Sequence, residues 1–396
     1  METKNFEFTK THTQIAKGIA IILMMIHHLF AFPDRIQNVS YVSMMPLFTP
    51  SVLPGNSIEF LLGDFGKICV AMYLFLSGYG LYISSTKKEN FTFKDSVHKM
   101  MKFLINYWVI FIIFVPVGLV WFSDKPAYHF NIIIFMKNLF TLSYSYNYEW
   151  WFVRLYIELL LLFPLIKRLL KKQIKSSLML SLGLYLVSIG MEAMPKIQPG
   201  LSFLEKNFIY NDIQQILFWQ MTFCLGCLAS KYNLFSLITK WLSSKKLDRK
   251  SFYIIMILVI MIIRVGFSYA FEIIGKGNSS YVDFILAPIF VLFCANLVYK
   301  NESSNKICRN RICHNWSENI FLALGKHSTN IWLVQSFFIF YYFQTLVFFP
   351  KLSILIVIWL TVLCLESSMT INFIIKWTSK VLQDRNQKKK EKEVLT

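Results

Sequence analysis

His27 and His28 lie inside the first long apolar run of the chain, Ile15 to Phe32, and Lys17 sits eleven residues before His28. Ionisable side chains at membrane depth are costly and usually face a bundle interior or a water-filled cavity, so the pair points to chemistry or transport. Near neutral pH an imidazole can take a hydroxyl proton, a carboxylate can orient the imidazole, and a guanidinium can stabilise an oxyanion. Partners of each kind occur in later apolar runs: Arg154 and Glu158, one helical turn apart, and Arg264. At a helical rise of about 1.5 Å per residue, His28 falls roughly 20 Å along its helix, Glu158 about 12 Å below the outer end of its own, and Arg264 about 20 Å up another. All four groups are therefore expected in the outer half of the bilayer, where they could share one cavity. His28, Glu158 and Arg154 are the candidate catalytic set, with His27, Trp151 and Arg264 as candidate lining. Successive helical residues diverge by about 100°, so only one of the two histidines is expected to face the cavity squarely. The plainer alternative pairs Arg154 with Glu158 and leaves His28 a satisfied core histidine.

A second set of groups lies near the opposite helix ends. Lys17, Lys99, Lys102 and Lys326, with His327, could hold the phosphates of a nucleotide-like donor, although topology alone also puts basic residues there. The stretch Phe75-Leu76-Ser77-Gly78-Tyr79-Gly80 reads first as close helix packing and second as cavity lining through Ser77 and Tyr79. Glu192 and Glu366 are further carboxylates within apolar runs. Cys224-x-x-Cys227 reads as helix packing, and Cys308-x4-Cys313-His314 offers too few ligands for a closed zinc site, so no metal is expected.

The elements that position these groups follow from composition. With 55% hydrophobic residues, 16% charged residues and a mean hydropathy of +0.49 over 396 residues, the chain reads as an all-α integral membrane protein. Ten apolar runs meet or approach the length of a spanning helix: Ile15 to Phe32, then 66–84, 103–122, 150–166, 177–194, 213–230, 251–271, 282–299, 327–346 and 352–376. Most of the 41 Lys and Arg residues fall in alternate connecting segments, which predicts ten helices with both termini cytoplasmic. The same pattern accounts for the net charge of +19 without a nucleic-acid partner. Arg35, Lys67, Lys125, Lys137, Lys196, Lys206, Lys276 and Lys351 fall on the opposite, outer side. Counting 130–148 as a span would invert every later loop, so it reads as an interfacial or re-entrant segment. The outer loop 33–65, with Pro46, Pro50, Pro54 and Gly55, reads equally as a cap over a cavity or as a plain surface loop. The expected divisions are a cytoplasmic N-terminus (1–14), a transmembrane domain (15–379) and a basic, disordered cytoplasmic tail (380–396). No cleavable signal peptide is expected.

The order of these motifs resembles the integral-membrane acyltransferase-3 family. Lys17-Gly18-Ile19-Ala20 followed by His28 is similar to the family's opening helix, which begins Arg-Gly and has a His eleven residues on. Tyr73-Leu74-Phe75-Leu76-Ser77-Gly78-Tyr79, Trp151-Phe152-Val153 with Glu158 and Phe163-Pro164-Leu165, and Leu324-Gly325-Lys326-His327-Ser328 leading to Ile331-Trp332-Leu333 continue the resemblance across nearly the whole chain. It implies a ten-helix enzyme that moves an acyl group, typically acetyl from acetyl-CoA, onto a hydroxyl of a cell-surface glycan. By the same carry-over His28 is the catalytic histidine, Lys17 takes the place of the motif's Arg, and Lys99 and Lys102 stand for the family's paired basic residues. Gln335 stands where many relatives place a histidine. No esterase-like domain follows the tenth run, so transfer is expected to rest on the membrane domain.

The resulting expectation is a multi-pass O-acyltransferase of the bacterial cytoplasmic membrane. Acyl-CoA is its co-substrate, no cofactor is tightly bound, and a polysaccharide or lipid-linked sugar is the acceptor. The competing class is a transporter or exporter that uses the intramembrane His, Glu and Arg groups as a proton relay. Inverted internal repeats would favour it, and none is visible.

Overall fold

The computed structural model describes residues 7–36, 39–43, 57–88, 90–171, 173–274, 278–299 and 316–395. Fourteen α-helices run through them: α1 (Lys10–Phe30), α2 (Ile58–Gly66), α3 (Cys69–Thr86), α4 (Phe93–Trp121), α5 (Ile132–Leu139), α6 (Trp151–Leu169), α7 (Ile174–Ile197), α8 (Phe208–Lys231), α9 (Leu234–Ser244), α10 (Lys250–Ile274), α11 (Asp283–Val298), α12 (Trp316–Ser336), α13 (Gln344–Phe348) and α14 (Ser353–Leu395). Among the described residues there is no strand, only a single bridge between Val42 and Leu352 that ties the first loop to the start of α14.

Each of the ten apolar runs falls on a helix. Among the described residues, seven helical units can cross a membrane by length and composition, α2 and α3 counting as one, or eight if α8 and α9, bent by 68°, form one span. The chain is thus a multi-pass helical membrane protein. The two runs outside that set became α6 and α12. The first carries Arg154, Glu158, Lys167 and Arg168, and the second carries Glu318 and Lys326. They are less apolar because they hold the groups of interest.

α1 is the hub, packed on α2, α3, α11, α12 and α14. Its contact with α12 depends on glycine: a methyl group at Gly18 would meet the Phe321 carbonyl at 2.1 Å, and one at Gly325 would meet that of Gln14 at 1.9 Å. α3 and α8 cross in the same reciprocal way, Gly78 against the Phe223 carbonyl and Gly226 against that of Phe75. Small residues allow backbones to approach this closely. The Lys-Gly and Ser-Gly-Tyr motifs are therefore packing seams.

Three segments differ from, or sharpen, the sequence expectation. Residues 130–148 contain only the eight-residue α5, too short to span, with Ile132, Ile133, Ile134 and Met136 exposed. α9 is an amphipathic helix in what reads as a basic loop. The tail expected to be disordered continues α14 to Leu395, because no Gly or Pro interrupts 353–395 and its Lys, Glu and Gln residues favour helix. There is no break at 379, and α1 already begins at Lys10, ahead of residue 15. Cys308, Cys313, His314 and most of the loop containing Pro46, Pro50, Pro54 and Gly55 lie outside the described residues.

Candidate active site

A cavity of about 680 Å³ opens at one end of the bundle, where the carboxyl ends of α1 and α7 meet the amino ends of α3, α6 and α8. His27, His28, Trp151, Arg154 and Glu158 line it. So do Arg35, Lys67, Tyr73, Glu149, Glu192 and Asp212, together with the aromatics Tyr144, Tyr148 and Trp219 and the amides of Asn211, Gln214 and Gln215. Burial raises the Tyr144 hydroxyl above its ordinary range, so it remains a hydrogen-bond donor at neutral pH.

His27 and His28 occupy the last turn of α1, and both reach the cavity although their rings diverge, with centroids 5.4 Å apart. His27 is tied down: its Nδ1 lies 2.8 Å from the Gly63 carbonyl, which can only accept, so Nδ1 carries the proton. Close approach of α2, where Gly66 faces the Leu23 carbonyl, makes this bond possible. His28 is less constrained. Its Nδ1 is buried without a hydrogen bond of good geometry, and so are both polar atoms of the neighbouring Gln335 carboxamide.

Glu149 and Arg35 line the cavity wall together with His28. Arg35 Nη1 donates to Glu149 Oε1 at 2.7 Å, and its guanidinium lies over the Phe340 ring at 3.8 Å. The other Glu149 oxygen accepts from Tyr341 Oη at 3.1 Å, and the Tyr148 backbone N–H donates to the same hydroxyl at 2.8 Å. Phe340 and Tyr341 belong to a π-helical turn, Phe337–Tyr341, that continues α12. Such turns re-aim side chains and recur at functional sites.

Glu158 is placed differently from the expectation that it orients His28. Arg154 donates from Nε to Glu158 at 2.9 Å and from Nη2 to Asp212 at 2.6 Å, and it stacks on Phe208 at 4.2 Å. Among the described residues no hydrogen bond joins Glu158 to either histidine. Arg154 is shared between two carboxylates, one from α6 and one from α8. Arg264 does not reach the cavity. It is fully buried, paired with Asp283 at 3.2 Å and Asp64 at 3.3 Å, and donates to Ser279. Ser77 and Tyr79 also stay out of the cavity, Tyr79 packing on Phe8, Phe75 and Phe235. Glu192 lines it beside Lys196, whereas Glu366 is exposed.

None of Lys17, Lys99, Lys102 and Lys326 lines the cavity. Lys17 is about 16 Å along α1 from His28. One aromatic path leads toward it from this set: Phe103, next to Lys102, stacks on Trp332 at 6.1 Å, and Trp332 is part of the cavity wall. Among the described residues no cluster of His, Cys, Asp and Glu could hold a metal.

A model of the acyltransferase domain matches residues 14–377. The chain belongs to the acyltransferase-3 family. It is therefore a membrane acyltransferase, and the cavity with its imidazole pair is its candidate active site. No curated protein and no solved structure matches the chain. Sequence reasoning passed over Glu149, Arg35 and Asp212 within this acyltransferase. Arg35 and Lys67 left a usable signal, being cations on the side where the positive-inside pattern leaves few.

Proposed function

We propose that this acyltransferase moves an acyl group, acetyl in the simplest case, from acyl-CoA to a hydroxyl of a cell-envelope polysaccharide or lipid-linked sugar in the bacterial cytoplasmic membrane. The observation that carries the reading is the placement of His28 in the wall of a cavity roomy enough for a sugar and rimmed with groups suited to one. Trp151, Trp219, Tyr144 and Tyr148 offer ring faces, while Asn211, Gln214, Gln215 and Asp212 offer paired donors and acceptors. His28 takes the hydroxyl proton as the acceptor oxygen bonds to the acyl carbon. The carbon–sulfur bond then breaks, and the imidazolium returns the proton to the departing thiolate. A covalent acyl intermediate would use the same groups in two steps.

The donor enters, in this reading, from the cytoplasmic end. Lys17, Lys99, Lys102 and Lys326 hold its phosphates, and its thioester arm follows the path past Phe103 and Trp332. Ten spanning helices, α6 and α12 included, keep both termini in the cytoplasm and open the cavity outward. The transmembrane domain spans 15–379, with 1–14 and 380–396 as cytoplasmic extensions. Mass spectrometry of envelope glycans from cells with and without the gene tests the reading: an acyl substituent present only with the gene supports it, and identical glycans oppose it.

A further inference from the structure

We propose that Lys67 binds an oxyanion of the acceptor, so that the sugar modified in this cavity is an anionic one, carrying a carboxylate or a phosphate. The inference rests on the reading of the cavity as the acceptor site. Four cations line it: Arg35, Lys67, Arg154 and Lys206. Arg35 is paired with Glu149, and Arg154 with Glu158 and Asp212. The remaining cavity carboxylate, Glu192, pairs with Lys196. Lys206 is exposed. Lys67 is half-buried, and among the described residues it has no ion pair, because the carboxylates of the neighbouring network, Asp64 and Asp283, are paired with Arg264 instead.

The ammonium is nevertheless held in place. Lys67 Nζ donates to Asn278 Oδ1 at 2.9 Å, and the same oxygen accepts from the Ser280 backbone N–H at 3.1 Å. An ammonium has three N–H donors and no acceptor, so two remain for a ligand. Lys67 follows Gly66, which packs so closely on α1 that a methyl group there would meet the Leu23 carbonyl at 2.4 Å and His27 Cβ at 3.1 Å. The base of the lysine is thus fixed against the imidazole end of α1. A neutral donor lies in the same cavity wall: the Gln215 carboxamide oxygen accepts from Trp219 Nε1 at 2.9 Å, which leaves its amino group to donate.

A cation at membrane depth without a counter-charge is costly, and such groups mark ligand paths. A neutral sugar would leave that cost in place, whereas an anionic one supplies the missing charge. Lysine acts on an anion as a compact point charge, which suits a carboxylate and a phosphate alike. Arg154, already shared between two carboxylates, is not free to take it.

The test uses the purified full-length protein in detergent, acetyl-CoA labelled in the acetyl group, and envelope glycan extracted from cells lacking the gene as the acceptor. The glycan is given untreated, with its carboxylates chemically reduced to alcohols, or with its phosphates removed. For the wild type, one of the two treatments should raise KM for the glycan roughly tenfold, the scale of one charge-assisted hydrogen bond, and the treatment that does so names the oxyanion. Lys67→Met should show the raised KM on untreated glycan and no further response to that treatment, and Lys67→Arg should recover part of the loss. A wild-type KM unmoved by both treatments overturns the proposal, as does a Lys67→Met protein that responds as the wild type does. A Lys67→Met protein whose kcat falls at unchanged KM, or whose KM rises for acetyl-CoA alone, also overturns it, by assigning the lysine to the reacting carbonyl or to the donor. If Lys67→Met does not fold, the wild-type response to the two treatments decides. Wild-type protein that labels none of the three glycan preparations counts against the acceptor reading itself.

Discussion

Arg154 and Asp212 lie on different helices, α6 and α8, yet their side chains meet at 2.6 Å inside the cavity. Together with Glu158 at 2.9 Å on the same guanidinium, they turn what looks in sequence like a two-residue pair into a three-residue cluster.

Glu158→Gln is therefore expected to act on acceptor binding and stability more than on turnover. Removing its charge leaves Arg154 paired with Asp212. We expect KM for the acceptor to rise several-fold while kcat per folded molecule changes little. A fall in kcat of roughly 10²-fold at constant KM would return Glu158 to the acid–base partnership with His28. Kinetics on detergent-purified protein, normalised to the folded fraction, separate the two.

Much of this site was legible because the relevant residues are those a membrane core penalises. His28, Arg154 and Glu158 stand out against apolar neighbours, and their depths along separate helices were enough to bring them to one end of the bundle. Glu149 was not legible, since it sits in a turn just before α6, where a charged residue is ordinary. Asp212 was hidden because it falls one residue ahead of the apolar run 213–230, although it lies in the first turns of α8. Arg264 shows the opposite failure. It is as deep as the others, but its partners Asp64 and Asp283 come from helices whose mutual placement the sequence does not reveal.

Arg264→Met should destabilise without touching chemistry. The substitution leaves the fully buried Asp283 and the Asp64 carboxylate without their cation, a loss on the order of 3–5 kcal/mol for one partner of a buried pair. Thermal unfolding in detergent should show a large downward shift, with kcat of the surviving folded protein near wild type. Wild-type stability would mean that the pair is not buried in the bilayer-embedded protein.

Gly78→Val tests the α3–α8 seam. A side chain there meets the Phe223 carbonyl, starting from a Cβ contact of 2.1 Å, so the two helices must separate. Overpacking of this kind typically costs about 1–3 kcal/mol, and backbone as the obstacle places this case at the upper end. Reduced recovery of folded protein is expected, and Gly80→Val, at a position with open space, is the matched control.

Topology is checked by single-cysteine labelling at two exposed positions, Ser243 at the end of α9 and Ser202 between α7 and α8, in a background without native cysteines. A membrane-impermeant reagent added to intact cells should label position 202 and spare position 243. Labelling of both from outside would contradict the ten-span arrangement with cytoplasmic termini.

The central claim is that His28 moves the acceptor's proton during acyl transfer, and isotope tracing tests it most directly. Membranes containing the wild-type protein are given acetyl-CoA labelled in the acetyl group, and label in the glycan fraction is counted against membranes with His28→Ala and His27→Ala. The account predicts label in the wild type, none above background in His28→Ala at equal folded protein, and a partial signal in His27→Ala, whose ring is tied to the Gly63 carbonyl. Label in His28→Ala at the wild-type level would contradict it.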